Sequence, residues 1–80
     1  MAEIVSMDVL STEEIGRRLK EALDASGMTV KAVADKSGIL RQTLYNRLAG
    51  QGEFTVKEMV ALCNAMRLTA EERDYIFFTL

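Results

Sequence analysis

The sequence predicts an all-α fold of five helices, and three observations carry that expectation. Proline is absent from the 80 residues, so no ring interrupts a helix. Leu, Ala, Glu, Lys, Arg and Met, which lose least on entering a helix, recur along the whole chain. A hydroxyl residue followed three positions later by Glu occurs at Ser11 and Glu14, Thr55 and Glu58, and Thr69 and Glu72, the spacing of a capping box.

Taken in order, the first helix is expected from about Thr12 to Ala25, with Ile15, Leu19, Ala22 and Leu23 at helical spacing and Gly27 as its left-handed stop. Thr29 caps a short second helix that carries Val30, Val33 and Ala34 and closes at Ser37 and Gly38. The third runs from about Leu40 to Ala49, with Leu44 and Leu48 on one face and Arg41, Gln42, Tyr45 and Asn46 on the other. The fourth opens at Thr55 with an apolar stripe of Val56, Met59, Val60, Cys63 and Met66. The fifth opens at Thr69 and carries Tyr75, Ile76, Phe77 and Phe78 to the end of the chain. Residues 11–80 are read as one domain. Residues 1–10 form an unassigned leader, in which Val5, Met7 and Val9 alternate with polar neighbours over too short a span to define a strand.

Composition excludes several functions. There is no His and only one Cys, Cys63, so neither a disulfide framework nor a zinc-ligand set is available, and no cofactor is expected. A serine elbow and a phosphate-cradling glycine loop are both missing, and the carboxylates gather at helix starts, so an enzyme is not expected. No apolar run reaches the ~20 residues of a membrane span, and the start lacks a basic signal region, which predicts a cytoplasmic protein. Nothing points to a small-molecule ligand.

The net charge of −2 hides a split. Between Gly16 and Arg47 seven basic residues face three acidic ones, whereas the remainder holds three basic and nine acidic. The basic half coincides with the most informative stretch, from Thr29 to Gly50. Two short helices crossing through a three- or four-residue turn need a small residue where they approach, which Ala34 supplies, and a left-handed residue in the turn, which Gly38 supplies. Val33, Ile39, Leu44 and Leu48 lock the pair from beneath, leaving Arg41, Gln42, Tyr45 and Asn46 outward.

With the helix and turn Thr29-x-x-x-Val33-Ala34-x-x-Ser37-Gly38-Ile39, the run Arg41 to Gly50 and the trailing Glu53-Phe54-Thr55-x-x-Glu58-Met59, the chain resembles the Cro and lambda-repressor-like helix-turn-helix family. The resemblance covers nearly everything from Gly16 to Phe78. It implies a five-helix DNA-binding domain in which helices 2 and 3 form the motif and the third enters the major groove, usually in a dimer on a near-palindromic operator. By the same resemblance Arg41, Gln42 and Asn46 stand where the family reads bases. Arg fits guanine, Gln and Asn fit adenine, and Thr43 and Tyr45 are within reach of a thymine methyl or a phosphate. Thr29, Lys31, Arg47 and Gln51 stand where it grips phosphate. Two positions depart from the pattern: Leu40 replaces the usual Ser or Thr cap of the reading helix, and Val30 replaces a frequent phosphate-binding Gln.

The C-terminal residues Ile76, Phe77, Phe78 and Leu80 offer more apolar surface than one short helix is expected to hide, which predicts a homodimer face. The leading expectation is a phage, prophage or bacterial regulator of repressor type acting on a double-stranded operator. The rival, favoured by overall acidity, Leu40 and Val30, is a protein-interaction module that retains the fold without binding DNA.

Overall fold

The structure, a computed structural model, describes residues 10–79. Helix α1 spans Thr12–Ser26, α2 Val30–Ser37, α3 Arg41–Leu48, α4 Val56–Met66 and α5 Ala70–Arg73, and α5 runs directly into a π-helical turn, Asp74–Phe78. The described residues contain no strand. The fold is the all-α, five-helix arrangement expected from the sequence. Of the leader, only Leu10 is described, and it is buried in the core; Val5, Met7 and Val9 lie outside the described residues.

Helix starts follow hydroxyl chemistry. Ser11, Thr29, Thr55 and Thr69 each accept a bond from the backbone N–H three residues on, satisfying a donor that the helix itself cannot. At Thr55 and Thr69 the capping box is complete. At Ser11 it is not: the Glu14 carboxylate turns away from the Ser11 backbone to Arg17 and, at 2.8 Å, to Arg18 Nε. Bonds between two ions outcompete one to a neutral N–H.

Glycines at φ 76° and 78°, Gly27 and Gly38, stop α1 and α2 as expected. Arg67 does the same for α4 at φ 54°, a left-handed position without a glycine.

One core holds the helices together. Leu19 and Leu23 of α1, Val33 of α2, Leu44 of α3, Leu62 of α4 and Ile76 of the terminal turn meet in it, and Ile39 and Leu48 pack against its edge. Each such buried side chain contributes about 1.5–3 kcal/mol relative to exposure. Gly16 permits a close approach, because a Cβ there would lie 2.6 Å from the Arg47 carbonyl oxygen and 2.8 Å from that of Leu48. Backbone therefore touches backbone where α1 crosses α3.

Two expectations are corrected here. The buried line of α4 passes through Leu62 and Met66, with Met59 and Cys63 half-buried, while Val56 and Val60 are 72% and 54% exposed. That helix is apolar on most of its circumference, so periodicity alone leaves its rotation open.

At the C-terminus, Ile76 and Phe77 are 2% and 3% exposed and belong to the domain's own core, so neither is free to form a dimer face. The i→i+5 register, closed by Thr79 N–H on the Asp74 carbonyl at 2.7 Å, widens the turn and lets two consecutive side chains point inward. Phe77 also meets Phe54 edge to face at 5.9 Å between ring centres. Phe78 stays exposed, and Leu80 lies outside the described residues.

Candidate nucleic-acid interface

The turn between α2 and α3 is held by Ser37, whose Oγ donates to the Ala34 carbonyl at 3.3 Å and accepts from the Ile39 N–H at 3.2 Å. Gly38 then reverses the chain in the left-handed region, and α3 leaves at Arg41. The direction of α3 about its own axis is set by Leu44, 1% exposed, with Leu48 one turn later. Opposite them lie Arg41, Gln42 and Tyr45, all exposed, flanked by half-buried Thr43 and Asn46. The five side chains singled out for base reading thus lie on or beside the solvent face of one two-turn helix. Within that face Gln42 Nε2 donates to Asn46 Oδ1 at 3.0 Å, one turn apart.

Leu40 precedes α3 with no side-chain bond to the helix, and its side chain is 75% exposed. The departure seen in sequence therefore has a structural counterpart: among the five helix starts, α3 alone lacks a hydroxyl cap.

The residues singled out for phosphate divide. Thr29 caps α2 through a 3.0 Å bond from the Ala32 N–H, and Lys31 beside it is exposed and, among the described residues, pairs with Asp35 at 3.2 Å. Thr29 and Val30 share the wall of a shallow groove with Tyr45, so the start of α2 and the outer face of α3 border one surface. Gln51 is exposed just beyond α3, its backbone N–H bonded to the Asn46 carbonyl at 2.8 Å.

Arg47 behaves differently. Its guanidinium is paired with Glu58 of α4 at 3.2 Å and donates to the Gln51 carbonyl at 3.1 Å, so it is held by the protein itself.

Charge on this side is otherwise modest. Arg41 is exposed and makes no ion pair with any described residue, whereas Lys20 and Lys31 each face an aspartate one turn on. On the far side of α1, hydrogen bonds from Arg17 and Arg18 hold the Glu14 carboxyl below the ordinary carboxylate range. Burial pushes the Cys63 thiol up, which keeps it protonated. Among the described residues no cluster of His, Cys, Asp and Glu has the makings of a metal site, and no helix is long and apolar enough to cross a membrane.

Sequence reasoning missed two residues that position this face. Gly16 sets the spacing of α1 and α3, and a glycine inside a helix was the available signal. Glu58 captures Arg47 besides closing the Thr55 capping box, a second role no local spacing announces.

A protein-family model described as helix-turn-helix matches residues 19–73, which include α2, α3, α4 and α5 whole. A solved relative is the high-resolution crystal structure of the restriction-modification controller protein C.AhdI from Aeromonas hydrophila. It is 24% identical, and the match covers 78% of this chain and 94% of that one with a TM-score of 0.71, a likeness of fold. No curated protein matches the chain.

Proposed function

We propose that this chain, which belongs to the helix-turn-helix family of the Cro/C1 type, is a DNA-binding transcriptional regulator. The observation that carries the reading is the build of α3: Leu44 is fully packed, while Arg41, Gln42 and Tyr45 stand in solvent with amide and guanidinium groups unburied. Such groups match the donors and acceptors of base edges in the major groove, and the reading places α3 there.

Arg41, Gln42, Thr43, Tyr45 and Asn46 face the bases in this scheme. Thr29, Lys31 and Gln51 approach phosphate, while Arg47 holds α3 against α4. The regulator is of bacterial, phage or prophage type and acts by occupying an operator. A regulatory role fits the description of the solved relative as a controller protein.

Two copies on a two-fold operator complete the proposal. With Ile76 and Phe77 buried, the pairing surface shifts to Phe78 together with Val56 and Val60 of α4, three exposed apolar side chains that border one shallow groove. Closed two-fold pairing is the commonest way to bury such a patch.

A second reading, a protein-interaction module without DNA binding, is favoured by that same patch and by the exposed Leu40. Selection of bound duplexes from a random DNA pool at fixed salt separates the two. Enrichment of a two-fold symmetric sequence supports the regulator; a pool that stays random supports the interaction module.

A further inference from the structure

Gln42 and Asn46 are expected from their residue types to read one adenine each, but the bond between them makes their roles unequal. A primary amide has two edges. One carries the carbonyl oxygen and the N–H beside it, an acceptor and a donor that match adenine N6 and N7. The other carries the second N–H alone. Gln42 can give that second N–H to Asn46 Oδ1, at 3.0 Å, and keep its whole reading edge free. Asn46 is less free, because the accepting atom is the Oδ1 of its own reading edge, and one of that oxygen's two lone pairs is already spent on Gln42. Burial points the same way: Asn46 is half-buried, whereas Gln42, one turn away, is exposed.

We infer that Asn46 is a positioning residue for Gln42, and that the two side chains together specify one A·T pair per half-site instead of one pair each. The inference rests on the DNA-binding reading above. Its physical basis is preorganisation. A free Gln side chain has three rotatable bonds to immobilise when it meets a base, and the bond to Asn46 settles much of that before DNA arrives. Asn46 thereby acts on recognition through Gln42 instead of reading a base of its own.

The test compares the parent protein with Gln42→Ala, Asn46→Ala, Asn46→Asp and the double alanine variant. Each is titrated against the duplex enriched from the random pool and against duplexes with every operator position replaced singly, at one salt concentration. The quantity read is the preference at each position. Gln42→Ala should lose roughly 5- to 150-fold of that preference at a single position, the range for one good bidentate contact. Asn46→Ala should lose several-fold at that same position and nothing elsewhere, and the double variant should match Gln42→Ala. Asn46→Asp keeps an acceptor for Gln42, so it should restore the preference while its added charge weakens binding to every duplex alike.

The inference is overturned if Asn46→Ala relaxes a different position, if the two losses multiply in the double variant, or if Asn46→Ala weakens all duplexes equally. A parent protein that enriches no sequence from the pool overturns the DNA-binding reading itself and this inference with it.

Discussion

Arg47 and Glu58 join α3 to α4 through two hydrogen bonds, Nε to Oε1 at 3.2 Å and Nη2 to Oε2 at 3.4 Å. Both side chains are largely withdrawn from water, at 19% and 18% exposure. An arginine so engaged cannot reach for phosphate without stranding its carboxylate, a cost that grows with burial.

Arg47→Ala should therefore lower stability by about 1–3 kcal/mol, as losing hydrogen bonds to a charged group does. The salt dependence of DNA binding should stay as in the parent protein. Lys31→Ala should do the reverse, keeping stability and reducing the salt slope by about 1. Urea unfolding and binding titrations over a salt series check both. A stable Arg47→Ala protein with a flattened slope would return Arg47 to the phosphate contacts.

Gly16→Ala should destabilise the protein even though alanine is favoured over glycine inside a helix by about 1 kcal/mol. The added methyl meets carbonyl oxygens of Arg47 and Leu48 at 2.6 and 2.8 Å, and backbone does not step aside as a side-chain end does. A net loss of about 1–3 kcal/mol is expected, the usual cost of overpacking. A raised melting temperature would show that α1 and α3 have room to part.

Stability should fall in acid partly through Glu14. Its carboxyl is held below the ordinary value of 4.5, first by the hydrogen bond from Arg17 and then by that from Arg18. Between the folded and unfolded values the unfolded chain binds more protons, so stability rises with pH there. The contribution is complete above the ordinary value and lost as pH falls through the depressed one. Glu14→Gln should accordingly lose less stability than the parent protein below pH 4.5, read from melting temperatures across an acid series. Parallel curves would remove Glu14 from the account.

Phe77 and Phe78 are neighbours with opposite fates, and serine substitutions should tell them apart. Phe77→Ser removes a buried ring and should cost about 3–5 kcal/mol, enough to unfold a domain of this size. Phe78→Ser should leave the melting temperature of a dilute sample nearly unchanged and reduce self-association, measured by sedimentation over a concentration range. Equal effects on folding would mean that Phe78 is structural; an unchanged association would remove it from the pairing surface.

Local chemistry made much of the fold legible. Ser11, Thr29, Thr55 and Thr69 mark where helices start, and Gly27 and Gly38 mark where they stop, because caps and left-handed stops act within a few residues of sequence. The face of α3 was legible too, since Leu44 and Leu48 are its only large aliphatic side chains. Tertiary choices were not. Helix α4 is apolar on several sides, so only its neighbours decide that Leu62 turns inward and Val60 outward. The capture of Arg47 by Glu58 likewise depends on residues brought together from separate helices.

Gly16 and Arg18 lie two residues apart on α1, and each fastens the helix to a different part of the molecule. Gly16 seats it against the backbone of α3. Arg18 donates to the carbonyls of Tyr75 and Thr79 and stacks 4.4 Å from the centre of the Tyr75 ring. Helix α1 is thus a short strut with both fastenings on one stiff segment and no loop between them. In the proposed dimer a second copy seated near Phe78 would therefore bear on a turn that α1 ties directly to α3, so the pairing would set the tilt of α3 as well as the separation of the two copies.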